Sequence, residues 1–170
     1  MAKTITFSLD SASIGRAISE LNSFIDDVRR MMGELVRQLT EQGVQIAMTN
    51  IASLGAVDTG ELSDSMWGFY DEDSHVGIIR SGAYYAVFVE YGTGIMGENM
   101  SHPEMEGEWM PPGGWTYDHN NHGENGWFYT SDRDGKRHWT RGQVSRPFMY
   151  ETFKELQNLA PSIAAKIFNA

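Results

Sequence analysis

An apolar residue recurs at Ile14, Ile18, Leu21, Ile25, Val28, Met32, Leu35 and Leu39, in steps that alternate between four and three residues. That is a heptad register, which one face of an α-helix satisfies and a strand cannot. Past Gly43 the stripe changes phase, to Val44, Ala47, Met48, Ile51 and Leu54. A helix with so long an apolar face must lay it on something. A sheet of the same chain is the simpler expectation, since short heptads are common in cores, and an intermolecular coiled coil is the alternative. Asp10, Ser11 or Ser13 supplies an N-cap, and Gly55 a C-cap. Ser23 with Asp26 has the form of a capping box and offers a break near Asn22-Ser23 into a short and a long helix.

The segments around this helix set the fold class. Ile5, Phe7 and Leu9 alternate with Thr4, Thr6 and Ser8, the period of a half-buried strand. Asp58, with Glu61 three residues on, is a capping box for one helical turn through Ser65. Three strands are expected next, over 66–71, 76–80 and 84–91, separated by Asp71-Glu-Asp-Ser74 and Ser81-Gly82. Spacing this close makes an antiparallel meander. Residues 95–142 differ in composition and read as an insertion, rich in Gly, Asn and Pro and holding Trp109, Trp115, Trp127 and Trp139. Its second half predicts a hairpin, 126–131 against 136–140, about the turn Asp132-Arg133-Asp134-Gly135. A final helix begins near Ser145, a candidate N-cap, and carries Met149, Phe153, Leu156, Ala160, Ile163 and Ile167 on one face; Pro161 is expected to kink or split it. The 170 residues are thus read as one α+β domain: a long N-terminal helix packed on a small antiparallel sheet, an aromatic β-hairpin insertion and a C-terminal helix.

Composition narrows the chemistry. There is no cysteine, hence no disulfide framework and no thiolate, which fits synthesis in a reducing cytosol. The first ten residues lack the apolar run of a signal peptide, and no run reaches membrane-spanning length. Net charge is −10, with no basic stripe to grip phosphates. His119-Asn-Asn-His122, beside Asp118 and Glu124, is the one cluster with metal-ligand character. Its irregular setting gives the two imidazoles no fixed common face, so a small metal-dependent hydrolase is kept only as the alternative of a different class. Asp132-Arg133-Asp134-Gly135 starts like a calcium loop, but Gln143 stands where the late glutamate belongs. No cofactor and no catalytic residue is assigned. Trp109, Trp115, Trp127, Phe128, Tyr129 and Trp139 are read first as protein–protein anchors, since aromatic residues dominate interface hot spots.

Three short segments carry a resemblance. Val57-Asp58-Thr59-Gly60-Glu61-Leu62 follows the long helix; Tyr85-Ala86-Val87-Phe88-Val89-Glu90-Tyr91-Gly92-Thr93 follows in the middle; Ser145-Arg146-Pro147-Phe148-Met149 precedes the last helix. In that order they resemble the tail-completion, or neck, proteins of siphophages and related tailed phages, with Ala56 where that family often has proline. The resemblance frames residues 1–94 and 145–170. It implies a virion structural protein of the head–tail junction, made in host cytoplasm. It would form a homo-oligomeric ring around a DNA channel and touch neighbouring neck and tail proteins, with no membrane and no sequence-specific DNA contact. A tail terminator or head-closure stopper is the nearest alternative. Asp58, Thr59, Gly60, Glu90, Gly92, Thr93, Arg146, Pro147 and Phe148 then read as a structural clasp, with Arg146 or the Thr59 hydroxyl as expected partners for a half-buried Glu90 carboxylate.

Overall fold

The computed structural model describes residues 4–105, 110–111, 113–118, 120–123, 125–131 and 134–169. Its dominant element is α1, Ser11–Ser53, an unbroken helix of 43 residues. At 1.5 Å per residue it is about 65 Å long. The Asp10 carboxylate accepts the Ser13 N–H at 2.9 Å and caps its start. At the far end Gly55 takes φ +65°, its N–H bonds Ala52 O and the Ala56 N–H bonds Ile51 O, a Schellman motif. The break offered by Ser23 and Asp26 does not occur. Asp26 pairs instead with Arg29 at 3.5 Å, and Asn or Ser within a helix costs only a few tenths of a kcal/mol, about what one such pair returns.

Only the second half of α1 is packed. Its buried residues from Met31 onward are Met31, Gly33, Thr40, Gly43, Ala47, Asn50 and Ile51. They meet β1, Met66–Asp71, and β2, Val76–Ser81, which pair antiparallel with Trp67 opposite Arg80 and Phe69 opposite Ile78. Small residues set this approach. A Cβ on Gly77 would collide with Thr40 Oγ1, and one on Gly43 with Ile79 Cδ1. Ala47, Ile51, Leu62, Met66, Ala83, Val89 and Phe148 form the core where α1, the hairpin and α5, Phe148–Phe168, converge. Within it Asn50 Nδ2 donates to Thr152 Oγ1 at 3.3 Å, and Thr152 Oγ1 donates to Phe148 O at 2.6 Å.

Several expected elements differ. Residues 4–9 form no strand; Ile5 and Phe7 lie beside the start of α1, where no described strand offers them a ladder. The meander has two strands, and the segment expected as its third is helical: α3, Ala86–Tyr91. Val89, Glu90 and Tyr91 are buried in succession, which a helical turn wedged between core and α5 allows and an alternating strand does not. The N-cap of α2, Glu61–Asp64, is Gly60 at φ +91° and not Asp58, and the Glu61 N–H is met by Thr59 Oγ1 at 3.3 Å. Pro161 lies inside α5 without splitting it and faces solvent, where the carbonyl it leaves unpaired meets water. Ser145 does not cap α5; its hydroxyl donates to Glu90 O.

After α3 comes α4, Gly94–Asn99, then irregular chain, then the expected aromatic hairpin: β3, Trp127–Thr130, against β4, Arg137–Thr140. Asp132 and Arg133 of its turn lie outside the described residues. The fold is α+β as read from the sequence. The segment after Gly94, however, is built into the scaffold. The Gly94 N–H bonds Tyr117 O at 2.7 Å, the Ser145 N–H bonds Met100 O at 3.1 Å, and Thr93 pairs with Gln143.

Candidate functional site

Glu90 is the centre of the region the three motifs build. It is 5% exposed, and its carboxylate accepts the Met149 N–H at 2.9 Å and the Tyr150 N–H at 3.0 Å. These are orphan donors of the first turn of α5, so a carboxylate from α3 serves as the cap that Pro147 cannot provide. His102 Nε2 donates to Oε1 of the same group at 3.2 Å. The His102 ring is itself 2% exposed and packed between Tyr91, at 4.8 Å, and Tyr150, at 5.1 Å. Arg146 and the Thr59 hydroxyl, the partners expected from sequence, do not reach the carboxylate. Arg146 ties in through its backbone, its N–H bonding Val89 O at 2.8 Å.

The remaining motif residues lock the same junction. Thr93 and Gln143 exchange backbone hydrogen bonds of 2.9 and 3.0 Å, and Gln143 Nε2 donates to Phe88 O at 3.0 Å. Gly92 sits at φ +79°, where a Cβ would lie 2.7 Å from Ser145 N. Phe148 is fully enclosed by the core. Beside this junction an open groove of about 790 Å³ is lined by Asp58, Thr59, Gly60, Tyr85, Tyr129 and Arg146. All three motifs therefore contribute to one concavity. Burial, then the nearby Glu61 and Asp58, push the Tyr85 hydroxyl above its usual range, so it stays a protonated donor.

The aromatic residues divide. Trp115 belongs to the molecule's own packing: its Nε1–H donates to Gly92 O at 3.2 Å, and its ring lies 5.1 Å from Tyr91 and 5.8 Å from Phe88. Trp127 stacks on His122 at 4.5 Å. Phe128 and Trp139, cross-strand neighbours at 4.8 Å, are both more than half exposed, and Tyr129 is nearly so. Trp109 lies outside the described residues.

His119 and Glu124 of the proposed metal cluster lie outside the described residues. Asp118 is occupied: the His122 and Gly123 N–H groups bond its carboxylate at 2.7 and 2.8 Å and hold its pKa below the ordinary value. Among the described residues no group of three His, Asp or Glu is placed to hold a metal, and no helix is long and apolar enough to cross a membrane. Sequence reasoning missed His102, because nothing in Ser101-His102-Pro103 marks a histidine as buried. It also missed the outer face of the first hairpin, though Trp67 and Phe69 flanking Gly68 carried that signal.

What the fold and this junction define is an interlocked α+β scaffold whose accessible features are a groove and exposed apolar faces. Comparison with known families agrees in kind. Residues 17–92 match the HK97-gp10-like family, described as "Bacteriophage HK97-gp10, putative tail-component". The match runs through most of α1, the first motif, the first hairpin and α3 to Gly92, under half of the chain, and associates it with phage tail components. No curated protein and no solved structure matches the chain.

Proposed function

We propose that this chain is a virion structural protein of the head–tail connection of a tailed phage, one subunit of a ring around the DNA channel. The observation that carries the reading is the match of residues 17–92 to a phage tail component. Three further features support it. The motif outside the matched span, Ser145 to Met149, packs onto the matched part through Glu90 and Val89. Exposed aromatic residues on the second hairpin offer anchors for neighbouring subunits. A net charge of −10 suits a wall past which DNA must slide. In this reading Asp58, Thr59, Gly60, Glu90, Gly92, Thr93, Arg146, Pro147 and Phe148 act as a clasp and do no chemistry. The test is imaging of particles carrying a tagged copy of the chain. A single label at the head–tail junction is expected; label along the tail shaft or at its far tip overturns the proposal.

A further inference from the structure

Two apolar faces of the chain lie uncovered by its own fold, one on α1 and one on the β1–β2 hairpin. The first is the leading half of α1. Ile14, Ile18, Leu21 and Ile25, the start of the heptad stripe, are all exposed, Ile18 at 55%. Ile14, Ile18 and Leu21, with Ile5, Phe7 and Ala17, frame a shallow, almost wholly carbon-lined slot of about 260 Å³. The second is the outer face of the β1–β2 hairpin. Gly68, Gly77 and Ile79 point toward α1, so alternation turns Trp67, Phe69, Val76 and Ile78 outward, each between 43% and 52% exposed. The Arg80 guanidinium lies over the Trp67 ring at 5.5 Å.

We infer that the leading half of α1 is an arm that docks on the outer face of the β1–β2 hairpin of a second copy of this chain. Dimensions agree: Ile14 to Ile25 spans about 16 Å of helix, and a six-residue strand spans about 20 Å. The slot on the arm has the size and lining for a large ring such as Trp67. Charge agrees as well. The chain carries −10, so copies repel one another, yet residues 11–30 are neutral, Arg16, Arg29 and Arg30 balancing Glu20, Asp26 and Asp27. Arg29 and Arg30 already pair with Asp26 and Asp27. In heptad terms the positions flanking the seam are Gly15, Ala17, Asn22 and Phe24, without charge, so no like charge blocks the approach. Repeated head-to-tail from copy to copy, a contact between two different patches generates a ring where the rotation closes. The inference deepens the ring reading above and rests on it only for closure.

The experiment uses the purified chain and two surface variants, Leu21→Glu on the arm and Phe69→Glu on the hairpin. Sedimentation of the unmodified chain at rising concentration is expected to show species heavier than the 19.1 kDa monomer. Each variant alone is expected to remain monomeric, and their equimolar mixture to form a dimer of twice that mass, since one intact arm and one intact hairpin remain. A monomeric parent at its highest soluble concentration overturns the inference. So does a mixture that stays monomeric while the parent associates, as an arm-to-arm coiled coil requires. Because the chain has no cysteine, Leu21→Cys and Phe69→Cys give an independent readout if a glutamate variant fails to fold. Oxidation must link the two variants to each other, and dimers of Leu21→Cys with itself overturn the inference. All of this is read in solution, so its failure is distinct from a label outside the neck.

Discussion

A carboxylate taken out of water must have each oxygen met by a donor, and at Glu90 three N–H groups do so, two of them from the first turn of α5. Glu90→Gln keeps an acceptor oxygen and is expected to be mild. Glu90→Leu strands the Met149 and Tyr150 N–H groups and the His102 ring, at a cost on the order of 1–3 kcal/mol. A urea denaturation series checks this, and equal stability of the two variants counts against the clasp. Gly92→Ala is expected to cost more than about 1 kcal/mol, since a side chain at φ +79° would press on the backbone of Ser145 and Gln143. Its midpoint should fall with an unchanged denaturant slope. That Glu90 needed partners was legible in the sequence, from a lone acid among Val89, Phe88 and Tyr91. Who they are was not, because Glu90 and Met149 are 59 residues apart and backbone donors leave no mark on residue identity.

At the scale of elements, regular spacing was legible where it ran long. Eight heptad positions specify a helix, and Gly55 specifies its end. The eight residues from Tyr84 to Tyr91 fit period 2 and period 3.6 about equally, and tertiary burial of three consecutive residues decided for helix. The exposed middle of α1 yields a prediction of acid sensitivity. The Arg37 guanidinium, then the Gln38 amide, hold Glu34 down to about 2 from an ordinary 4.5. A depressed carboxylate stabilises the fold fully above its unfolded value and loses that contribution as pH falls through the folded one. The unmodified chain should therefore lose helicity more steeply than Glu34→Gln between about pH 4.5 and 2, followed by circular dichroism, and added salt should narrow the gap. The second hairpin yields another. Gly94, Met100, His102 and Trp115 tie the segment before it into the core, so removal of all of 95–142 is expected to abolish folding. Replacing only 128–139 by a short Gly/Ser turn should keep a cooperative melt, because Phe128 and Trp139 cover each other more than they cover the core. If that truncated chain still enters particles in full yield, the hairpin is no anchor.

Across the whole molecule, buried apolar surface is concentrated where the second half of α1 meets the first hairpin and α5, and the leading half of α1 has no share in it. The core draws on α1 from Met31 onward, so some twenty residues of helix, about 30 Å, project from it with their stripe exposed. A helix of this kind gains little from its own chain, and most helical stability in water comes from packing an apolar face. Its charge is distributed in the same uneven manner: the arm is neutral, and the remaining residues carry the full −10. A ring built from such subunits would therefore present acidic surface wherever it does not present apolar contact. DNA carries about one negative charge per 1.7 Å of axis, and a protein holds it without regard to sequence by placing Lys and Arg on phosphates. With 23 acidic against 13 basic side chains, and the Arg29, Arg30 and Arg37 guanidinium groups each paired to a carboxylate, we expect that grip to be weak. The purified chain is therefore expected to leave double-stranded DNA unshifted in a gel even at low salt, where charge contacts are strongest. Retention that weakens steeply as salt rises would reveal a cationic track, and a passive channel wall would then be the wrong account of this surface.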